Sequence, residues 1–187
     1  MKRKAIVAVV ALVLVLCCAM GGTLAWLKTE TTPVVNTFTY GDINIGLSES
    51  DDLDLKMIPG NSIKKDPVVT VKKGSEASWL FVKIVESDNF DDFMTYGVAS
   101  GWTQLTVDAE GNAITDLIYY REVAATTADT DFAVLANNSV SVKETVKKDM
   151  LKDGVFVAPT LSFTAYAVQR DTNITTAAQA WNIAMGK

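Results

Sequence analysis

The sequence contains no histidine among its 187 residues. Ser-His-Asp and Cys-His nucleophilic sites and zinc helices of the HExxH type all need this residue. Histidine is also the side chain whose unperturbed pKa lies closest to neutrality. Its absence excludes most common hydrolase and metalloenzyme designs, so the sequence predicts no enzymatic activity, no catalytic residue, no metal site and no cofactor.

Cysteine is nearly absent as well, since the chain has two, Cys17 and Cys18, inside one apolar run. An acylated lipoprotein cysteine would follow a small residue, but Leu16 precedes Cys17. We therefore expect neither lipidation nor a structural disulfide. An excess of basic residues is missing too, because 17 basic residues stand against 22 acidic ones. The net charge of −5 argues against a nucleic-acid surface, which needs a basic face.

The apolar residues are concentrated at the start of the chain. Three basic residues at positions 2–4 precede an unbroken apolar run at 5–20 (AIVAVVALVLVLCCAM), and small residues follow at 21–25 (GGTLA). This pattern is typical of a helical secretory signal peptide over residues 1–25, cleaved between Ala25 and Trp26. The alternative is an uncleaved anchor, because the 23 residues between Lys4 and Lys28 carry no charge and could span a bilayer.

Cleavage would change the charge of the product. The mature chain, residues 26–187, would lose three of the 17 basic residues and keep all 22 acidic ones, giving a net charge of −8. It would also lose both cysteines. The sequence predicts a secreted product at the cell surface or in the extracellular matrix, with membrane contact only through the signal peptide before cleavage.

The mature part shows mainly the period-two alternation of β-strands. Ile43, Ile45 and Leu47 alternate with polar residues or glycine, and residues 79–85 (WLFVKIV) are apolar on both faces, as in a central strand. The segment 132–135 and the segment 140–146 read as a strand pair around a turn at Asn137-Asn138. Further predicted strands are residues 68–71, 102–107, 117–123 and 161–168, with turns at 72–75 and 108–112.

Helical signals are few and short. Residues 90–94 fit one or two turns, and residues 147–152 fit another. Near the end, Thr175 or Thr176 can cap a helix over 177–185, with Ala177, Trp181 and Met185 on one face. Many short strands separated by turns predict a mainly β fold, an antiparallel β-sandwich of jelly-roll or immunoglobulin-like type, over residues 38–187.

Residues 26–37 form a separate segment between the cleavage site and the regular strands. Pro33 discourages a helix there, and threonine and valine favour extended backbone. The segment is therefore a candidate donor strand that could add to the sheet of a neighbouring subunit. The alternatives are a disordered terminus or an edge strand of its own domain.

Several short motifs resemble the TasA and camelysin family of secreted proteins from Gram-positive bacteria. They lie at 21–27 (GGTLAWL), 37–43 (TFTYGDI), 58–67 (IPGNSIKKDP), 79–85 (WLFVKIV), 163–169 (FTAYAVQ) and 177–181 (AAQAW). The resemblance implies removal of the signal peptide by a SipW-type signal peptidase. It also implies a structural subunit that self-assembles into extracellular fibres of a biofilm matrix, or a surface relative of such a subunit.

In this family the mature N-terminal segment is expected to add as a strand to the next subunit. The resemblance places that polymerisation arm at Trp26, Leu27, Val34, Val35 and Phe38. The alternative functions are a monomeric cell-surface binding module and, against the missing histidine, a camelysin-like metallopeptidase. The acidic residues at 49–54 and at 88–92 could bind calcium through oxygen ligands, but neither group has EF-hand spacing, so solvated loops are the favoured interpretation.

Overall fold

A computed structural model describes residues 42–50, 56–151 and 156–186 of the chain. The strands are β1 (Ile45–Ser48), β2 (Ser62–Lys64), β3 (Val68–Val71), β4 (Ser78–Glu86), β5 (Met94–Val98), β6 (Thr103–Gln104), β7 (Leu117–Val123), β8 (Thr130–Ala133), β9 (Leu135–Val142) and β10 (Leu161–Gln169). The helices are α1 (Phe90–Phe93), α2 (Ala177–Ala184) and a 3-10 helix at Lys148–Leu151. None of the helices in these ranges has the length and apolar character needed to span a bilayer.

The strands form three antiparallel sheets, which confirms the prediction of a mainly β fold. The first sheet has the order β1-β3-β8, the second β2-β9-β5 and the third β10-β4-β7-β6. The first two are joined, because the chain passes directly from β2 to β3 and from β8 to β9. Backbone hydrogen bonds bridge both junctions, from Lys65 N to Asn138 O at 2.9 Å and from Val134 N to Pro67 O at 2.9 Å.

The central strand β4 is buried on both faces, as its sequence predicts. Leu80, Val82 and Ile84 enter a large core that also contains residues of the first two sheets, among them Val69 and Val140. On the other face, Trp79 and Phe81 enter a smaller core with Trp181. Successive side chains of a strand point to opposite faces, so this one strand supports both cores.

The C-terminal helix α2 begins where its capping residues predict. Thr176 is the N-cap, and its side chain and that of Gln179 form a reciprocal capping box. Ala177 and Trp181 are buried, whereas Met185 follows the last helical residue and is 38% exposed. The Trp181 ring packs edge-on against Tyr166, with centroids 5.3 Å apart. The helix therefore covers the outer face of the third sheet.

The prediction of a turn at Asn137-Asn138 is wrong. Strand β9 continues through both residues, which adopt left-handed φ angles of 57° and 50°. The register against β5 shifts at this point, between Tyr96 and Val98. The asparagines thus form a bulge within one strand, since asparagine tolerates the left-handed region and pairing with β2 and β5 holds the strand on both sides.

Other boundaries differ by smaller amounts. The first strand begins at Ile45, and Leu47 is 40% exposed, so Leu47 does not share a buried face with Ile45. The strand predicted at 102–107 is reduced to β6 and a single bridge between Val107 and Ala113. The helices predicted at 90–94 and 147–152 are present as α1 and the 3-10 helix. The predicted domain boundary at residue 38 lies outside the described residues.

Candidate functional site

An apolar groove with a volume of about 500 Å³ lies on the described part of the protein. It opens between β2, the segment from α1 into β5, and the chain that leads into β10. The lining residues are Met57, Ile63, Lys65, Phe90, Met94, Val140, Leu151, Phe156, Ala158, Pro159, Thr160 and Leu161. Only Lys65 is charged among them, so the groove suits an apolar occupant.

Hydrogen bonds and ring contacts hold the wall that precedes β10. Ser87 N donates to Thr160 O at 3.0 Å, and Thr160 N donates to Ser87 Oγ at 2.9 Å. The Asn89 side-chain amide donates to Val157 O at 2.8 Å. The ring of Phe156 packs edge-on against Phe93, with centroids 5.5 Å apart. This wall is therefore fixed to the end of β4 and to α1.

Two edge strands border the groove. Ile63 lies in β2, an edge strand of the second sheet, and Leu161 begins β10, an edge strand of the third sheet. Within the described ranges neither strand pairs on its outer side. Strands in this position present unpaired backbone N–H and C=O groups, which can accept a further strand.

A polar cluster lies beside the groove, at the junction of β2 and β3. Ser50 Oγ donates to Asp66 Oδ2 at 2.6 Å, Ser50 N donates to Asp66 Oδ1 at 3.1 Å, and Lys64 Nζ lies 3.0 Å from Asp66 Oδ2. These hydrogen bonds, chiefly that from the Ser50 side chain, hold the pKa of Asp66 well below its usual range. Lys65 Nζ pairs with Glu49 at 2.7 Å and lies 5.5 Å from the Phe163 ring.

The low pKa of Asp66 predicts a specific acid sensitivity. A carboxyl whose pKa is depressed by folding stabilises the protein above its unfolded-state pKa, and this contribution is lost as the pH falls. The free energy of unfolding should therefore decrease between about pH 5 and about pH 2, and decrease less in Asp66→Asn. Urea unfolding at several pH values measures this. The matched control is Asp92→Asn at an exposed carboxylate, and an Asp66→Asn profile parallel to that of the control would contradict the assignment.

A second, more polar cleft of about 370 Å³ lies between β5 and the inner faces of β4 and β7. Its lining residues are Glu86, Phe90, Asp91, Thr95, Tyr96, Val98, Leu117 and Tyr119. The Tyr96 hydroxyl donates to Glu86 Oε1 at 2.6 Å. The pKa of Tyr96 is raised, chiefly by burial and then by this hydrogen bond and the charge of Glu86. The pKa of Tyr119 is also raised, by burial and by the charge of Glu86. Both phenols remain neutral at physiological pH.

The sequence does not indicate the role of Arg121. Its guanidinium lies 4.1 Å from the centroid of Phe132 and 5.4 Å from that of Trp102. Burial lowers the pKa of Arg121, and its buried Nε has no hydrogen-bond partner among the residues that the structure describes. Gly101 lies beneath it with φ +86°, and a Cβ there would come within 3.1 Å of the guanidinium. Arg121 therefore closes the core beside Trp102 by stacking on aromatic rings.

The site residues predicted from sequence lie outside the described residues. This applies to the cleavage site at Ala25 and Trp26 and to the arm positions Leu27, Val34, Val35 and Phe38. Of the acidic segment 49–54, only Glu49 and Ser50 are described, and both contact lysines of the 64–65 pair. Within the described ranges no three acidic or other metal-ligating side chains are grouped to hold a metal ion.

Neither the groove nor the second cleft could be predicted from the sequence. Their linings combine segments up to about a hundred positions apart, such as Met57 with Phe156 and Glu86 with Tyr119. A comparison of the chain with protein-family models, with curated proteins and with solved structures finds no match.

Proposed function

We propose that the protein is a secreted, non-catalytic structural subunit of extracellular fibres, in a biofilm matrix or on the cell surface. The observation that carries the proposal is the apolar groove bordered by β2 and β10, two edge strands that pair on one side only within the described ranges. A groove of this kind accepts an extended segment that completes the sheets. The motifs similar to the TasA and camelysin family support the same function.

The domain that presents this groove is proposed to be an antiparallel β-sandwich of jelly-roll or immunoglobulin-like type. The joined first and second sheets and the third sheet contribute to one core, for example through Val71 and Val82. Two antiparallel sheets that share a core in this way are the basis of such sandwiches.

The proposed occupant of the groove is the arm of a neighbouring subunit, residues 26–38. These residues precede the predicted β-sandwich domain in the same chain, so each subunit would carry one arm and one groove. An arm that binds the next subunit gives a head-to-tail contact, and such contacts propagate into filaments when they do not close into rings. The predicted arm residues Val34, Val35 and Phe38 would supply the apolar side chains.

The charge of the mature chain opposes assembly. Subunits with a net charge of −8 repel each other, so the contact must depend on backbone hydrogen bonds and apolar burial. Salt screens repulsion between exposed charges over about 10 Å at 0.1 M and leaves apolar burial intact. Filaments should therefore form more readily as the ionic strength rises.

The test is electron microscopy of the protein that begins at Trp26, the product expected from a SipW-type signal peptidase. We expect filaments from this protein and monodisperse particles after deletion of residues 26–35. Unchanged filaments after the deletion would contradict the role of the arm. Monodisperse particles from the undeleted protein at every salt concentration would favour the monomeric surface-binding module.

The acceptor side is tested by Leu161→Glu, which places a charge in the groove. Ser162→Glu is the matched control, because Ser162 is the next residue of β10, is exposed and does not line the groove. Leu161→Glu should prevent assembly while the control assembles normally. Thermal unfolding of both variants shows whether each remains folded, and equal assembly of the two folded variants would place the contact elsewhere.

A further inference from the structure

The cleft between β4, β5 and β7 combines negative charge with aromatic rings. Glu86 is half-buried, its Oε1 accepts a hydrogen bond from the Tyr96 hydroxyl, and no described residue donates a hydrogen bond to its Oε2. Within the described ranges, no lysine or arginine forms an ion pair with Glu86. Asp91 adds a second, exposed carboxylate at the same cleft. A carboxylate that is partly shielded from water attracts a positively charged ligand more strongly than a fully exposed one does.

The ammonium group of Lys143 lies beside Asp91, one of the residues that line the cleft. Lys143 Nζ donates to the backbone carbonyl oxygen of Asp91 and makes no ion pair with Glu86. The Lys143 ammonium is thus held at the side of α1. The residues that line the cleft include two carboxylates and no basic side chain. The cleft therefore carries a net negative charge that its own residues do not neutralise.

Aromatic rings provide the second feature of the cleft. Tyr96 and Tyr119 both line it, and the Tyr96 ring packs edge-on against Phe90 with centroids 5.7 Å apart. The faces of aromatic rings carry negative electrostatic potential and attract cations, and aromatic sites of this kind recognise quaternary ammonium ligands. The raised pKa of each phenol keeps it neutral. The Tyr96 hydroxyl donates its proton to Glu86 Oε1, so its oxygen can accept a hydrogen bond from an ammonium N–H.

We propose that this cleft binds an organic ammonium group, held by the carboxylate of Glu86 and by the rings of Tyr96 and Tyr119. An inorganic divalent cation fits less well, because only two carboxylates line the cleft and calcium takes six to eight oxygen ligands. The ammonium group can come from a small soluble amine or from a lysine side chain. The proposal does not depend on fibre assembly, although Phe90 borders both the cleft and the groove.

Calorimetric titration of the full chain, kept in solution with an uncharged detergent, tests the proposal. The probes are choline, Nα-acetyl-lysine amide and 3,3-dimethyl-1-butanol, the neutral isostere of choline. At least one of the two cations should bind with a dissociation constant on the order of 1 to 10 mM, and the neutral isostere at least about tenfold more weakly. Tighter binding of choline indicates a soluble amine, and tighter binding of the lysine derivative indicates a side chain.

Two variants and a control connect the binding to the cleft. Glu86→Gln keeps an acceptor for the Tyr96 hydroxyl and removes the charge, and Tyr119→Leu removes one ring; each should weaken cation binding about tenfold. Glu122→Gln is the matched control, since Glu122 lies on β7 outside the cleft and pairs with Arg170. Absence of binding by both cations, equal binding of choline and its isostere, or unchanged binding by Glu86→Gln would each overturn the proposal.

Discussion

Replacing Phe81 by alanine is expected to lower the free energy of unfolding by about 3–5 kcal/mol. Phe81 is fully buried at the centre of β4, on the face that α2 covers. Its ring centroid lies 5.3 Å from that of Trp181 and 6.3 Å from that of Tyr120. Truncation removes the apolar contacts of the ring and leaves a cavity between β4 and α2, which the surrounding residues fill only in part.

Urea unfolding measures the loss, and near-ultraviolet circular dichroism follows the environment of Trp181. The matched control is Val85→Ala, because Val85 lies on the same strand and is 46% exposed, so its change should be about 0.5 kcal/mol or less. Equal destabilisation by the two variants would show that α2 does not depend on Phe81.

Strands β4 and β10 could be predicted because their sequence patterns are long and consistent. Residues 79–85 are apolar at almost every position, and the structure buries residues 79–82 and Ile84, which lie on both faces of the strand. Leu161, Phe163, Ala165 and Ala167 alternate with more polar residues, and the pair β4–β10 extends over nine positions. Helix α2 could be predicted equally well, because its N-cap at Thr176 is a local signal that acts through the neighbouring backbone.

The bulge in β9 could not be predicted because it depends on partners that are distant in sequence. Asn-Asn between apolar segments favours a turn when only neighbouring residues are considered. The structure holds the strand from both sides, with Ile63 paired to Val140 and Met94 paired to Val142. These tertiary hydrogen bonds override the local preference, so the two asparagines take left-handed conformations inside the strand.

The groove and the cleft could not be predicted from the sequence for a related reason. The pair of Glu86 and Tyr96 forms because the chain reverses through α1, which brings the end of β4 next to β5. The groove needs the segment 156–160, whose position is set by Ser87 and Asn89. Sequence patterns locate strands, but they do not specify which strand ends will meet.

Trp102 connects parts of the chain that no sequence pattern relates. Its Nε1–H donates to the carbonyl oxygen of Ala133 at 2.8 Å, so a residue next to β6 of the third sheet is bonded to the end of β8 in the first. The Arg121 guanidinium packs over the same indole at 5.4 Å and over Phe132 at 4.1 Å. Trp102 is 9% exposed and belongs to the large core.

Two substitutions of Trp102 separate its contributions. Trp102→Ala removes the ring from the core and one of the two surfaces against which Arg121 packs, and it should lower the free energy of unfolding by about 3–5 kcal/mol. Trp102→Phe keeps an aromatic face for Arg121 but leaves the Ala133 carbonyl without its donor, which should cost about 1–3 kcal/mol. Urea unfolding gives both values.

Thr103→Ala is the matched control for Trp102, because Thr103 is the next residue, is exposed and should change the free energy of unfolding by about 0.5 kcal/mol or less. A loss in Trp102→Phe as large as that in Trp102→Ala would assign the whole effect to the hydrogen bond with Ala133. If instead Trp102→Ala matched the control, the contact between the first and third sheets would not depend on the indole. The expected order, with alanine most destabilising and phenylalanine intermediate, requires both the buried ring and its hydrogen bond to hold the two sheets together.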